Sequence, residues 1–226
     1  MDIQYLGHSS FIVTLGGKKI LFDPFISENP LNKTTKVEDI KCDIILVSHG
    51  HFDHVADVEQ VAKQNECTVI SNYEVVNWFG KKDIKGHPLN HGGMVTMDGI
   101  SIKYVNAVHT SSMPDGSYGG YPGGFVVWTA DECLYFAGDT ALTLDMKLIP
   151  MTCPKVTVSI LPIGDNFTMG YEDAAIAAQF VECDKIVGCH FDTFGYIEID
   201  HSAAKQAFEA KGKTLHILGI EESIEL

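Results

Sequence analysis

The 226-residue sequence predicts a layered α/β protein, and three observations lead there. Short apolar runs of β character recur from one end of the chain to the other. Helical patterns fall between them, both early and late. Polar side chains able to bind a metal stand repeatedly where a β-type run stops. Many strands with interspersed helices are the signature of packed sheets flanked by helices.

The β-type runs are Ile3–Leu6, Phe11–Leu15, Ile20–Phe22, Ile44–Val47, Thr68–Ile70, Ile100–Val108, Phe125–Trp128, Cys133–Phe136, Val156–Leu161, Lys185–Gly188 and Leu215–Leu218. Helical patterns cover Asp57–Gln64, Tyr73–Phe79, Tyr171–Val181 and Ser202–Lys211. In the third of these, Ala174, Ala175, Ala178 and Val181 form an apolar stripe at helical spacing. There is no low-complexity tract, linker-like stretch or short repeat. With 45% hydrophobic residues the chain can bury one sizeable core, so residues 1–226 are expected to form a single domain.

Composition narrows the function. Sixteen lysines face thirty acidic residues, arginine is absent, and the formal net charge is −14. Such a chain repels a polyanion and lacks the planar fork that grips phosphate in two places. Nucleic acid is therefore excluded as an expected partner. No run is long enough to span a bilayer, and Met1–Tyr5 leads straight into a strand rather than a secretory signal. The six cysteines are scattered, with no CxxC pair, which suits reduced core thiols. A cytoplasmic protein is expected.

The chemistry concentrates at the ends of β-type runs. His8 follows Ile3–Leu6, Asp23 follows Ile20–Phe22, and His49 follows Ile44–Val47. His109, Asp139 and His190 stand at the ends of three later runs. Residues at strand ends can converge on one edge of a rigid sheet although tens of positions separate them. The densest signal is His49-Gly50-His51-Phe52-Asp53-His54, three imidazoles and a carboxylate in six positions. Nitrogen and oxygen donors of this kind suit zinc or another divalent transition metal. Gly50 is expected to relax the backbone between the first two ligands. A helical continuation would turn Asp53 and His54 toward a second ion.

This hexapeptide resembles the HxHxDH signature of the metallo-β-lactamase superfamily, and the supporting pieces follow in order. His109 in Ala107–Thr110 matches the next ligand, Asp139 in Ala137–Thr140 the bridging aspartate, and His190 in Gly188–Phe191 the last histidine. Tyr5-Leu6-Gly7-His8-Ser9-Ser10-Phe11, Phe22-Asp23-Pro24-Phe25 and the stretch Leu161–Gly170 (LPIGDNFTMG) narrow the match. They resemble a family of mostly uncharacterised metal-dependent hydrolases similar to the ascorbate-phosphate lactonases. The resemblance implies an αββα four-layer sandwich. It also implies two divalent ions per chain, zinc foremost, with manganese, iron or nickel as alternatives. By this resemblance His49, His51 and His109 hold one ion, Asp53, His54 and His190 hold the other, and Asp139 bridges them. Two ions sharing Asp139 would lower the pKa of a bridging water and supply hydroxide at neutral pH.

Three residues form a second tier. Asp23 is expected either to orient a ligand imidazole or simply to turn the chain before Pro24. His8 is a candidate catalytic residue that would orient a ligand carboxylate or protonate a leaving group, with a satisfied structural imidazole as the alternative. Asp165, in a loop before a helix, is a candidate catalytic residue expected either to face the pocket, the favoured reading, or simply to turn the chain. The glycine-rich stretch Pro114–Gly124, with Tyr118 and Tyr121, is either a cover for substrate or a surface turn. The expected activity is hydrolysis of a small, anionic phosphoester or lactone. A true β-lactamase is disfavoured by the missing export signal. A silent metal-binding sensor or scaffold would be expected to show broken ligands, and none is broken. The expected partner is a small molecule, with neither nucleic acid nor membrane, and a homo-oligomer is left open.

Overall fold

The computed structural model describes residues 1–226. Fourteen strands form two seven-stranded sheets. The first half of the chain lays down β1 (Asp2–Gly7), β2 (Ser10–Leu15), β3 (Lys18–Phe22), β4 (Ile44–Leu46), β5 (Thr68–Asn72) and β6 (Gly86–Leu89) in spatial order. The second half builds the other sheet from β7 (Met94–Met97), β8 (Ile100–Asn106), β9 (Gly123–Trp128), β10 (Cys133–Phe136), β11 (Val158–Pro162), β12 (Lys185–Cys189) and β13 (Thr214–His216). The last strand, β14 (Ser223–Glu225), returns to pair with β1. Helices α1 (Phe52–Val55), α2 (Val58–Asn65) and α3 (Tyr73–Gly80) belong to the first half, and α4 (Ile149–Thr152), α5 (Tyr171–Phe180) and α6 (His201–Glu209) to the second.

The layering follows from side-chain alternation. On β1 to β5, Ile3, Tyr5, Phe11, Val13, Ile20, Phe22, Ile44, Leu46 and Ile70 join the large core that reaches the second sheet. Their neighbours Leu6, Ile12, Leu21, Ile45, Val47 and Val69 point the other way and pack with Val58, Val61 and Ala62 of α2 and Val75 and Phe79 of α3. A period of two on a strand allows both faces to be buried at once. On the far side, Ala174, Ala175, Ala177 and Ala178 of α5 are buried, and their small side chains let the helix lie close to its neighbours. The result is the expected α/β arrangement, helices outside two facing sheets. The expected strands and helices are all present. Edge strands β6, β7 and β14 were not anticipated, and the run to Val108 stops at Asn106. All six cysteines are free, with the buried thiols of Cys42 and Cys67 3.8 Å apart. No helix is long and apolar enough to cross a membrane.

One half of each sheet is parallel: β3 to β6 in the first and β10 to β13 in the second. Open parallel sheets place their sites beyond the carboxyl ends of such strands. Asp23, His49, Asp139, Gly164 and His190 all follow those ends.

Candidate metal centre

Several site residues leave their strands through costly backbone conformations. His8, Asp23 and His190 have φ values of 56°, 40° and 54°, in the left-handed region that costs a non-glycine residue about 1 kcal/mol or more. A register shift in the β1–β2 pair falls just before His8. Such irregularities re-aim side chains beside functional sites. Gly164 is forced by proximity: a Cβ there would stand 2.0 Å from the carbonyl oxygen of His190. Gly50 serves close approach too, which corrects the expectation of backbone freedom. Its φ is ordinary, but a Cβ would meet the Met113 sulfur at 2.5 Å and the Ser112 carbonyl at 3.1 Å.

The seven residues of the expected ligand set converge. Donor atoms of His49, His51 and His109 lie within 4.8 Å of one another, and so do those of His8, Asp53, His54 and His190. Asp139 reaches both groups. Its Oδ2 is 3.5 Å from His109 Nε2, 3.3 Å from His54 Nε2 and 3.0 Å from His190 Nε2. Asp53 Oδ2 lies 3.8 Å from His54 Nε2 and 3.9 Å from His190 Nε2.

Behind the ligands runs a hydrogen-bond network that selects tautomers. Asp23, fully buried, accepts from His54 Nδ1 at 2.8 Å, from Ser48 Oγ at 2.6 Å and from the Ser48 amide at 2.7 Å. Because the Ser48 hydroxyl donates to Asp23, it accepts from His49 Nδ1 at 2.9 Å. Both imidazoles therefore carry their proton on Nδ1 and present Nε2 to the site. His8 lies behind Asp53: its Nε2 is 3.0 Å from Asp53 Oδ2, and its Nδ1 is 2.9 Å from Thr193 Oγ1.

The electrostatics fit a cation. His54 is fully buried, which by itself would favour the neutral ring, yet Asp139, Asp53 and Asp23 together raise it well above the usual histidine range. Burial would likewise raise Asp139, but His190 and His54 outweigh it and hold the carboxyl well below its usual range. Burial and the nearby His54 lower His49 and His51, and burial also lowers His109. His49, His51 and His109 are thus held neutral beside ionised carboxylates, and the positive charge drawn onto His54 is one that a bound divalent metal would replace. Three buried polar atoms, His54 Nε2, Asp139 Oδ1 and His190 Nδ1, have no hydrogen-bond partner. A buried polar atom left unpaired costs about 1–3 kcal/mol. Coordination of a cation would satisfy the first two.

A cavity of about 260 Å³ opens beside the cluster, walled by His51, Asp53, His109, Asp139 and His190 together with Thr110, Phe167 and Phe194. Asp165, expected to face the pocket, is not among its walls. It is exposed, with φ 61°, in a turn where its amide donates to the Met169 carbonyl. Nor is His8, which is buried behind Asp53. Tyr118 and Tyr121 are 60% and 73% exposed and do not line the cavity either. Their loop is pinned by Asn72, whose amide donates to the carbonyls of Gly119 and Tyr121. Ser48 and Thr193 were missed as supports, because their role lies in partners distant in sequence.

A model of the beta-lactamase superfamily domain matches residues 2–190. The chain is 53% identical to a UPF0173 metal-dependent hydrolase of Christiangramia forsetii, over the full length of both. It belongs to that family. The UPF0173 metal-dependent hydrolase YtkL of Bacillus subtilis is 40% identical, again over both full lengths. Among solved structures, Igni18, a metallo hydrolase of the archaeon Ignicoccus hospitalis, is 30% identical. It superposes with a TM-score of 0.90 over 99% of this chain and 97% of its own. Membership of the UPF0173 metal-dependent hydrolases agrees with the cluster: a hydrolase of this family needs a metal, and the strand ends gather its donors.

Proposed function

We propose that this chain is a dinuclear hydrolase acting on a small molecule with an ester, lactone or phosphoester bond. The observation that carries the reading is the position of Asp139 Oδ2, within 3.5 Å of imidazole nitrogens from both ligand groups. One carboxylate oxygen shared in this way suits two ions better than one. Zinc is the first metal to test, since imidazole and carboxylate donors suit it, and the same donors admit manganese, iron or nickel. When bound, the metals would supply Lewis acidity and a water acidic enough to ionise near neutral pH.

The protein's own residues do the rest. Asp23 and Ser48 hold His54 and His49 with Nε2 turned to the site. His8 positions Asp53 from behind, and with both ring nitrogens engaged it is not placed to protonate a leaving group. Asp139 is a ligand first. Phe167 and Phe194 line the cavity beside the donors and give it an apolar side. The net charge of −14 supports a small substrate over a nucleic acid.

The test is turnover by the zinc-loaded protein on lactones, phosphodiesters, carboxylic esters, thioesters and β-lactams, with a chelated control. Turnover of an ester, lactone or phosphoester that is lost on chelation is expected. Zinc-loaded protein inert toward every class would overturn the enzyme reading and favour a sensor or scaffold.

A further inference from the structure

Beyond the candidate ligands, only Thr110, Phe167 and Phe194 line the cavity. The two phenyl rings come from different loops. Phe194 follows β12, and its ring lies 5.5 Å from that of His8 and 6.4 Å from that of Phe25, an aromatic wall at the ligand cluster. Phe167 follows β11 in the stretch Ile163–Gly170, the part of the sequence motif that the metal ligands leave unexplained. There Asp165 and Asn166 both adopt left-handed conformations, with φ values of 61° and 56°, and the Phe167 amide donates back to the Asp165 carbonyl at 2.6 Å. This turn spends backbone strain to present one phenylalanine that is 50% exposed. Tyr196, 77% exposed, meets the Phe167 ring edge-on at 6.1 Å and continues the aromatic surface outward.

No cation stands opposite these rings. The chain has no arginine, and stretches 42–62, 104–146, 156–184 and 186–204, which build the site, contain no lysine. A negative charge on the substrate can be matched by the metals and by nothing else in the cavity. The charge therefore belongs to the reacting group, and the remainder of the substrate meets phenyl walls. About 150 Å³ is enough to hold benzene. A cavity of about 260 Å³ that must also seat the ions limits the substrate there to one ring and a reacting group of a few atoms.

We propose that Phe167 and Phe194 form a subsite for an apolar, ring-sized substituent attached next to the hydrolysed bond, with Tyr196 at its outer rim. This rests on the hydrolase reading above and narrows it: the substrate is an aryl or similarly apolar ester, lactone or phosphoester, and not a sugar phosphate. Polyhydroxylated substrates would leave hydroxyls unpaired against the rings.

The experiment compares phenylphosphonate with methylphosphonate, which share a headgroup and differ in the ring, by calorimetric titration of zinc-loaded protein of verified metal content. Phenylphosphonate is expected to bind about tenfold tighter or more, the order expected when part of a ring leaves water. Phe167→Ala and Phe194→Leu should each shrink that ratio, while methylphosphonate affinity and zinc content stay unchanged. Phe167 is half-exposed, so its truncation leaves the core intact. Equal affinity for the two phosphonates in the parent protein would overturn the subsite and leave the hydrolase reading standing. A preference that survives in both variants would overturn it as well. Failure of both phosphonates to bind the loaded protein would overturn the premise that the metals receive the charged reacting group, and the subsite with it.

Discussion

Replacing Asp23 by asparagine removes one charge and almost no volume, at a residue that is not itself in the ligand set. The carboxylate takes three hydrogen bonds in a fully buried position, two from Ser48 and one from His54. Asparagine offers one acceptor oxygen and one NH2 donor in their place. If the amide oxygen faces His54 and the Ser48 hydroxyl, the NH2 meets the Ser48 backbone N–H, donor against donor. In the flipped amide the NH2 faces His54 Nδ1, whose proton must then move to Nε2, the nitrogen turned to Asp139. The first arrangement leaves buried donors unpaired, at about 1–3 kcal/mol, and the second puts a proton on the nitrogen that would hold the metal. Support residues of metal-binding imidazoles typically contribute about 10- to 100-fold in affinity, or about 1.4–2.8 kcal/mol. Asp23→Asn is therefore expected to weaken zinc binding tenfold to a hundredfold. The metal-free protein should lose about 1–3 kcal/mol of stability. Competition against a chelator of known affinity measures the first, and urea unfolding of the stripped protein the second. Zinc affinity within twofold of the parent would refute the tautomer argument, whatever happened to stability.

Other perturbations probe neighbouring links. Asp139→Asn is expected to lower metal content and to cut turnover by about a hundredfold or more with the fold retained. Near-normal activity at normal metal content, by elemental analysis and circular dichroism, would remove Asp139 from the shared position. Gly164→Ala should destabilise by about 1–3 kcal/mol and disturb metal binding, because its Cβ would stand 2.0 Å from the His190 carbonyl oxygen. An unchanged thermal midpoint would contradict that. Burial pushes His8 down to about 4, against the pull of Asp53, while an unfolded histidine titrates near about 6.5. Between those values the unfolded state binds more protons, so stability contributed by His8 falls as pH drops from about 6.5 to 4, by about 3 kcal/mol in total. In stripped protein this slope should be smaller for His8→Gln, and identical slopes in urea unfolding would show that His8 does not carry it.

The donors that the structure gathers were legible because four of them sit together in HGHFDH and the rest stand where β-type runs end. The inner strands were legible too, since burial on both faces leaves near-continuous apolar runs. The edges were illegible for the opposite reason. Most residues of β6, β7 and β14 are exposed or half-buried, and β6 carries Pro88, so no apolar pattern marks them. Ser48 and Thr193 were hidden because a hydroxyl gains its role from a partner elsewhere in the chain: Thr193 serves His8 across 185 positions. Asp165 misled because a left-handed turn and a pocket wall both favour aspartate. In this protein the turn is the answer, and the pocket receives Phe167 instead.

The central claim is a pair of metal ions sharing Asp139. The most direct measurement is the metal-to-protein ratio after equilibration with excess zinc and removal of unbound metal, read by elemental analysis. Two ions per chain are expected, with the ratio falling toward one in Asp139→Asn. A ratio that stays at one in the parent protein under metal excess would contradict the account.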